Sequence, residues 1–298
     1  MVLQKYAWVG AVGVVSAIVE GAAGWEGVLD LGAVSESAYE DIQGGQPAVE
    51  EVYYGLGLTG FNRSREGQLA WDLGYEWIEA DWKGSLFSGV QGQLYEEVET
   101  LSGSVMWTGF RGKEWSYSVL AGVQSSRGSD GIWEKADFAD ALGYSLGASL
   151  NYQVNPTLLL GFGAMYKSNP AGIDEDWFPI VQIFWEINEE WTLRTRNGVV
   201  LIWEPEVTGV EDEWTFSALW RSRNWHLGDA GPFEMGYEDE GIALGIAYRL
   251  EPLPGLGIEP ELAYLFNREV TLWEGGRKLL ETDLEKGWLY GIRITYAF

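Results

Sequence analysis

The chain has 298 residues, no cysteine, and 45 acidic against 19 basic side chains, a formal charge of −26. That charge excludes nucleic acid as a partner, whose binding needs a basic footprint. The missing cysteines exclude a disulfide framework, a thiol nucleophile and any Cys-ligated metal. Within a 46% hydrophobic fraction, Trp (17), Tyr (15) and Gly (40) are heavily used, and these are residues of strands and tight turns.

In chain order, Tyr6 to Val19 form an apolar run preceded by Lys5 and followed by the small residues Gly21-Ala22-Ala23. A transmembrane helix needs roughly 18 or more apolar residues. The shorter run therefore reads as a secretory signal peptide over residues 1–23, with a retained amphipathic helix as the other reading. Residues 24–50 are acidic, lack a clear period and contain Gly44-Gly45-Gln46-Pro47. They read as a flexible leader, which leaves residues 51–298 as the folded domain.

From Val52 onward, period-two segments succeed one another with turn signals between them. Trp115, Tyr117, Val119, Ala121 and Val123 alternate with Ser116, Ser118 and Gly122. Tyr144, Leu146, Ala148, Leu150 and Tyr152 alternate with Ser145, Gly147, Ser149 and Asn151, and Ile242, Leu244, Ile246, Tyr248 and Leu250 with Gly245 and Arg249. The final segment sets Trp288, Tyr290, Ile292, Ile294, Tyr296 and Phe298 on one face. Each strand thus has one greasy and one wet face, ending on an aromatic.

Such a succession predicts an all-β fold, a transmembrane antiparallel up-and-down barrel whose greasy faces meet lipid. Counting back from Phe298, long outer connections are expected near 127–141, 168–176, 226–237 and 274–286. Shorter inner turns are expected near Arg111-Gly112-Lys113, Asn155-Pro156, Asn188-Glu189 and 251–256. Splitting 191–203 at Asn197-Gly198, a preferred hairpin turn, gives fourteen strands. Twelve is the alternative, because 83–104 alternates poorly.

The closing strand, with Tyr290, Ile292, Ile294, Tyr296 and Phe298, resembles the C-terminal assembly signal of Gram-negative outer-membrane barrels. The segments Phe184–Leu193 and Glu261–Glu269 are similar to an uncharacterised family of outer-membrane β-barrel domain proteins, a resemblance covering roughly residues 50–298. It implies an outer-membrane location, surrounding lipid and lipopolysaccharide, and delivery by the barrel-assembly machinery. It carries no biochemical function with it.

Candidate chemistry is sparse. His226 is the only histidine and no serine motif or acidic pair accompanies it, so a loop or interfacial histidine is favoured over a barrel hydrolase. The carboxylate runs Asp174-Glu175-Asp176, Glu238-Asp239-Glu240 and Glu281, Asp283, Glu285 read as solvated loop charge rather than a hard-cation site. Neither a cofactor nor a metal is expected. Trp71, Trp77, Trp107, Trp115, Trp185, Trp191, Trp214 and Trp288 read as interfacial girdles rather than a carbohydrate platform.

The wet faces are more informative. Parity places Arg194, Arg196, Arg221, Arg223, Arg249 and Arg293 inward, with Asp72, Glu76 and Glu186 as lumenal acids. Two readings follow: an arginine wall steering anions through a passive pore for small solutes, or an arginine–carboxylate network holding the lumen shut in a structural or surface-interaction barrel.

Overall fold

The computed structural model describes residues 24–38, 48–64, 66–83, 96–129, 141–168, 176–205, 213–230, 233–284 and 286–297. Residues 1–23, expected to be a signal peptide, and Phe298 lie outside them. Every regular element among them is a strand: β1 Gly24–Ala38, β2 Ala48–Arg63, β3 Gly67–Lys83, β4 Glu97–Arg111 and β5 Trp115–Ser129. Then come β6 Leu142–Asn155, β7 Leu158–Lys167, β8 Asp176–Glu186, β9 Trp191–Arg196 and β10 Gly198–Trp203. The chain closes with β11 Glu213–Ala230, β12 Phe233–Leu253, β13 Leu256–Glu274, β14 Arg277–Leu284 and β15 Gly287–Ala297.

Neighbours in sequence pair antiparallel throughout β1 to β14, and β15 returns to β1 and β13. The lower part of β13 pairs with β15 and its upper part with β14. These two segments are one interrupted stave, so the sheet closes as a barrel of fourteen staves. Closure satisfies the backbone internally and abolishes sheet edges, the condition for spanning lipid with strands.

The first stave is a correction. Residues 24–38, expected within the flexible leader, form β1, and the domain begins there rather than at residue 51. Asp30 is in register with Arg293 on one side and Gly55 on the other. Leu29, Leu31 and Ala33 do alternate with Asp30 and Gly32, but Val28 beside Leu29 and the acidic flanks blur the period. Two outer connections also differ from expectation. β11 and β12 continue as strand to Ala230 and from Phe233, and β13 turns through Gly275-Gly276 directly into β14.

The alternation is physical. On β6, Leu142, Tyr144, Leu146 and Leu150 are exposed while Gly143, Ser145, Gly147, Ser149 and Asn151 are buried. In a barrel the exposed apolar face is the lipid face and the buried polar face is the lumen. Aromatics gather toward the two ends of the apolar band. Trp115 packs on Tyr152, Trp191 stacks on Trp203 and Trp214 packs on Tyr248 near one rim, with Tyr144, Tyr166 and Trp177 near the other. Of the expected girdle tryptophans, Trp115, Trp185 and Trp288 are exposed and Trp71, Trp77, Trp107, Trp191 and Trp214 half-buried.

Short turns at the lower rim are held by asparagines. Asn188 Oδ1 accepts from the backbone N–H of Glu190 and Trp191 at 2.9 Å, and Asn155 Oδ1 accepts from that of Thr157 at 2.9 Å. The Asn197-Gly198 break is present, with Gly198 at φ +152°.

The wall is uneven in height. β9 and β10 have six residues each and β7 ten, whereas β11 has 18 and β12 has 21. A spanning strand takes about 9–11 residues, so the β9–β10 hairpin stops short. Its tip meets β11, where the Trp220 N–H donates to the Asn197 carbonyl at 2.7 Å. Higher up, β11 pairs in parallel with β5 at His226 and Arg127. The barrel therefore narrows. Among the described residues, fourteen staves form its lower section, and nine (β1 to β5, β11 to β13 and the β14–β15 stave) form its upper section.

Candidate functional site

The lumen divides where the stave number changes. Its lower section mixes polar groups with buried apolar ones, Met106, Leu120, Met165 and Ile180 among them. The hydroxyls of Thr108 and Ser118 lie 2.9 Å apart, Asn151 Nδ2 donates to Ser116 at 3.4 Å, and Ser104 donates to Asp72. Gly161 makes part of this possible, since a Cβ there would sit 2.1 Å from Asn151 Oδ1 and 2.7 Å from Gln182 Oε1. Charge of both signs lines the same section. Arg293 lies 3.6 Å from Glu259, Glu213 is in register with Arg249, and Arg194 is within electrostatic reach of Glu213 and Glu259.

The upper section is filled. Tyr53, Ile78, Val98, Trp225, Leu227, Met235, Tyr237, Val270 and Leu272 form one buried apolar cluster inside it. Trp225 and Tyr237 stack with centroids 4.9 Å apart and rings 5° from parallel. A ring of about eight strands has an interior that side chains alone fill, so nine staves close on their own contents. Embedded in the apolar cluster are five ionic groups. Arg223 donates to Glu51 at 2.8 Å, and Arg268 grips both oxygens of Asp239 at 2.8 and 3.3 Å. Arg221 lies 3.8 Å from each of Glu51 and Asp239.

The residues expected in the lumen are distributed between the two sections. Arg221, Arg223 and Glu76 are buried in the upper one. Arg293 is buried in the lower one, and Arg194, Arg249 and Asp72 are half-buried. The Arg196 side chain lies outside the described ones. Glu186 is a correction: it ends β8 and is exposed at the lower rim, because the strand stops at that residue. Tyr290, Ile292 and Tyr296 are exposed on the lipid face and Ile294 is half-buried.

Other corrections concern groups read as loop residues. His226 is fully buried within β11, at the contact with β5. Asp239 lies in β12 at 1% exposure and belongs to the ionic cluster, while Glu238 accepts from Trp273 Nε1 at 3.2 Å. Glu281 and Asp283 are exposed on β14; Asp174, Glu175 and Glu285 lie outside the described residues.

Sequence reasoning missed Glu51, Asp239, Arg268, Glu213 and Glu259. Arg268 shows why. Strict alternation from Leu262, Tyr264 and Phe266 puts it on the lipid face. Asn267 takes φ +48° opposite Gly241, where the β12–β13 register shifts. That bulge inserts one residue and turns Arg268 inward. Only an Asn facing a Gly in the next strand hints at it.

A closed strand sheet with an apolar exterior and a charged interior defines a transmembrane barrel of the outer-membrane type. No family model matches the chain, and no curated protein matches it in sequence. Solved structures do match in fold. An outer-membrane channel from Pseudomonas putida F1 is 8% identical, with a TM-score of 0.51, covering 93% of this chain and 96% of that one. The P. putida toluene transporter TodX is 9% identical, with a TM-score of 0.50, covering 93% of this chain and 90% of its own. At such identities the likeness is one of fold.

Proposed function

We propose that this protein is an outer-membrane channel for small solutes, with its passage in the lower, fourteen-stave lumen. The observation that carries this reading is the mixed charge lining that lumen: Arg194, Arg249 and Arg293 beside Glu213, Glu259 and Asp72. Ionised groups at membrane depth are costly unless they pair or line a water-filled cavity, and a stave number between the filled eight-strand barrel and the aqueous sixteen-strand porin leaves room for water. The shared fold with bacterial outer-membrane channels supports the same reading.

The balance of signs argues against an electropositive wall, so anion steering is a weak component of this function. TodX is named for toluene; the charged lining here supports polar cargo instead. A hydrolase reading has lost its residue, because His226 is fully buried where β11 meets β5. The reading also places the barrel in the outer membrane of a Gram-negative bacterium, against lipid and lipopolysaccharide. The closing strand that carries Tyr290, Ile292 and Tyr296 would be its handle for the barrel-assembly machinery.

A second reading, a structural or surface-interaction barrel with a blocked lumen, is favoured by one observation: Arg223 and Glu51 meet across the upper section. Single-channel recording of refolded full-length protein in planar bilayers separates the two. Discrete conductance steps are expected; a folded, inserted barrel without current would establish the blocked form.

A further inference from the structure

The axial route is shut by side chains belonging to the wall itself, so a channel of this shape needs another outer mouth. We propose that the passage leaves at the shoulder where fourteen staves give way to nine, between β11 and the tops of β5, β6 and β7, and that it admits small polar solutes. The proposal rests on the channel reading and adds the route and the solute class.

Three observations converge on the shoulder. First, the wall is low there, since β7 has ten residues while β11 rises through 18. Second, a pocket occupies the step, lined by Gln124 of β5, Gly143 and Ser145 of β6, Met165 and Lys167 of β7, and Asn224 of β11. Asn224 lies on the face of β11 opposite to Arg223 and Trp225, away from the sealed core. The cavity itself is about 20 Å³, room for a single water molecule, which restricts passage to water, ions and the smallest polar solutes.

Third, the adjoining backbone is that of an edge. The β8–β9 ladder stops at Phe184, Trp185 and Glu186. Thr195 Oγ1 then accepts from the Ile183 N–H at 2.8 Å and donates to the Val181 carbonyl at 2.9 Å. Above that stretch β8 carries Pro179, a residue sheets accept at edges because it has no N–H to donate. Backbone with incomplete pairing at membrane depth persists only where protein buries it or water lines it. A wet shoulder meets that requirement. Gln124, Ser145, Lys167 and Asn224 put amide, hydroxyl and ammonium groups beside the apolar Val123, Tyr144 and Met165, a polar strip that suits water, ions and the smallest polar solutes.

The cysteine-free chain makes the test direct. Full-length Ser145→Cys and Asn224→Cys are refolded, confirmed as barrels by their heat-dependent migration in SDS, and recorded in planar bilayers. A charged methanethiosulfonate reagent is added from the extracellular side. Modification is expected to lower the current at least twofold in both variants, reversibly with dithiothreitol. Tyr237→Cys, inside the upper section, is expected to stay unmodified with its current intact. Current unaffected by the reagent in both shoulder variants, or blocked through Tyr237→Cys, overturns the shoulder route and leaves the channel reading standing. Absence of current in the unmodified wild type overturns the channel reading and this route with it.

Discussion

Arg223 of β11 and Glu51 of β2 meet at 2.8 Å across the interior of the upper barrel, though 172 positions separate them in the chain. In a ring of nine staves these two strands stand on opposite sides. An ion pair that spans a barrel from wall to wall marks a section with no axial channel left in it. The pair is also shielded: both side chains are at most 1% exposed, and Arg223 lies over the Trp225 ring, 5.6 Å from its centroid.

Breaking that pair is expected to destabilise the barrel strongly. Glu51→Ala leaves Arg223 buried against an apolar cluster without its carboxylate, which costs about 3–5 kcal/mol for a buried pair. The double change Glu51→Leu with Arg223→Met removes both charges at similar volume and is expected to recover most of the loss. Urea midpoints of the refolded protein in detergent measure both. Equal losses that simply add would show that the two residues do not act as a pair.

The architecture was legible because lipid enforces a strict period. Each outward polar residue is penalised, so β5, β6 and β15 keep clean alternation. Legibility failed where another interaction relaxes the rule. β1 needs no strong period of its own, because β2 and β15 fix it from both sides. The upper halves of β11 to β13 leave the lipid-facing regime, so Asn224 and His226 are buried on what parity makes the outer face. Six arginines were visible by parity; Glu51 and Arg268 were not, since Glu51 stands at the border of the assumed leader, ahead of the period that begins at Val52, and the Asn267 bulge hid Arg268. The shoulder depends on strand ends, and ends are the weakest signal in an alternating pattern.

β1 is expected to be indispensable to closure. It contributes nine register pairs to β15 and thirteen to β2. Deleting residues 24–38 opens two strand edges at membrane depth, where each unsatisfied backbone group costs several kcal/mol. The deletion variant is expected to show no heat-modifiable folded band in SDS after refolding, whereas the full chain does. A folded band from the deletion variant would mean that residues 24–38 form an appendage.

Gly198 is expected to tolerate no side chain. Its φ of +152° and the 2.0 Å separation between a built Cβ and the Ala218 carbonyl oxygen leave no room. Gly198→Val is expected to disturb the β9–β10 hairpin and to lower the urea midpoint, with local strain on the order of 1–3 kcal/mol. Ala at the neighbouring exposed Val199 serves as the comparison and is expected to cost less. Equal midpoints would show that the hairpin tip adapts freely.

Ion selectivity provides the last test, because the lower lumen pairs its charges almost one for one. Arg249 stands in register with Glu213, and Arg293 lies 3.6 Å from Glu259. Wild-type reversal potentials in a KCl gradient are therefore expected near zero. Arg249→Ser with Arg293→Ser leaves the two glutamates uncompensated and is expected to turn the pore cation-selective, as a ring of carboxylates does. Glu213→Gln with Glu259→Gln is expected to produce the opposite sign, since arginine keeps its charge at any workable pH. Arg221→Ser and Arg223→Ser lie in the sealed section, so they are expected to lower stability and leave the reversal potential in place. If instead those two changes move the reversal potential most, ions pass through the upper ring, and the Arg223–Glu51 contact is a gate across an axial pore.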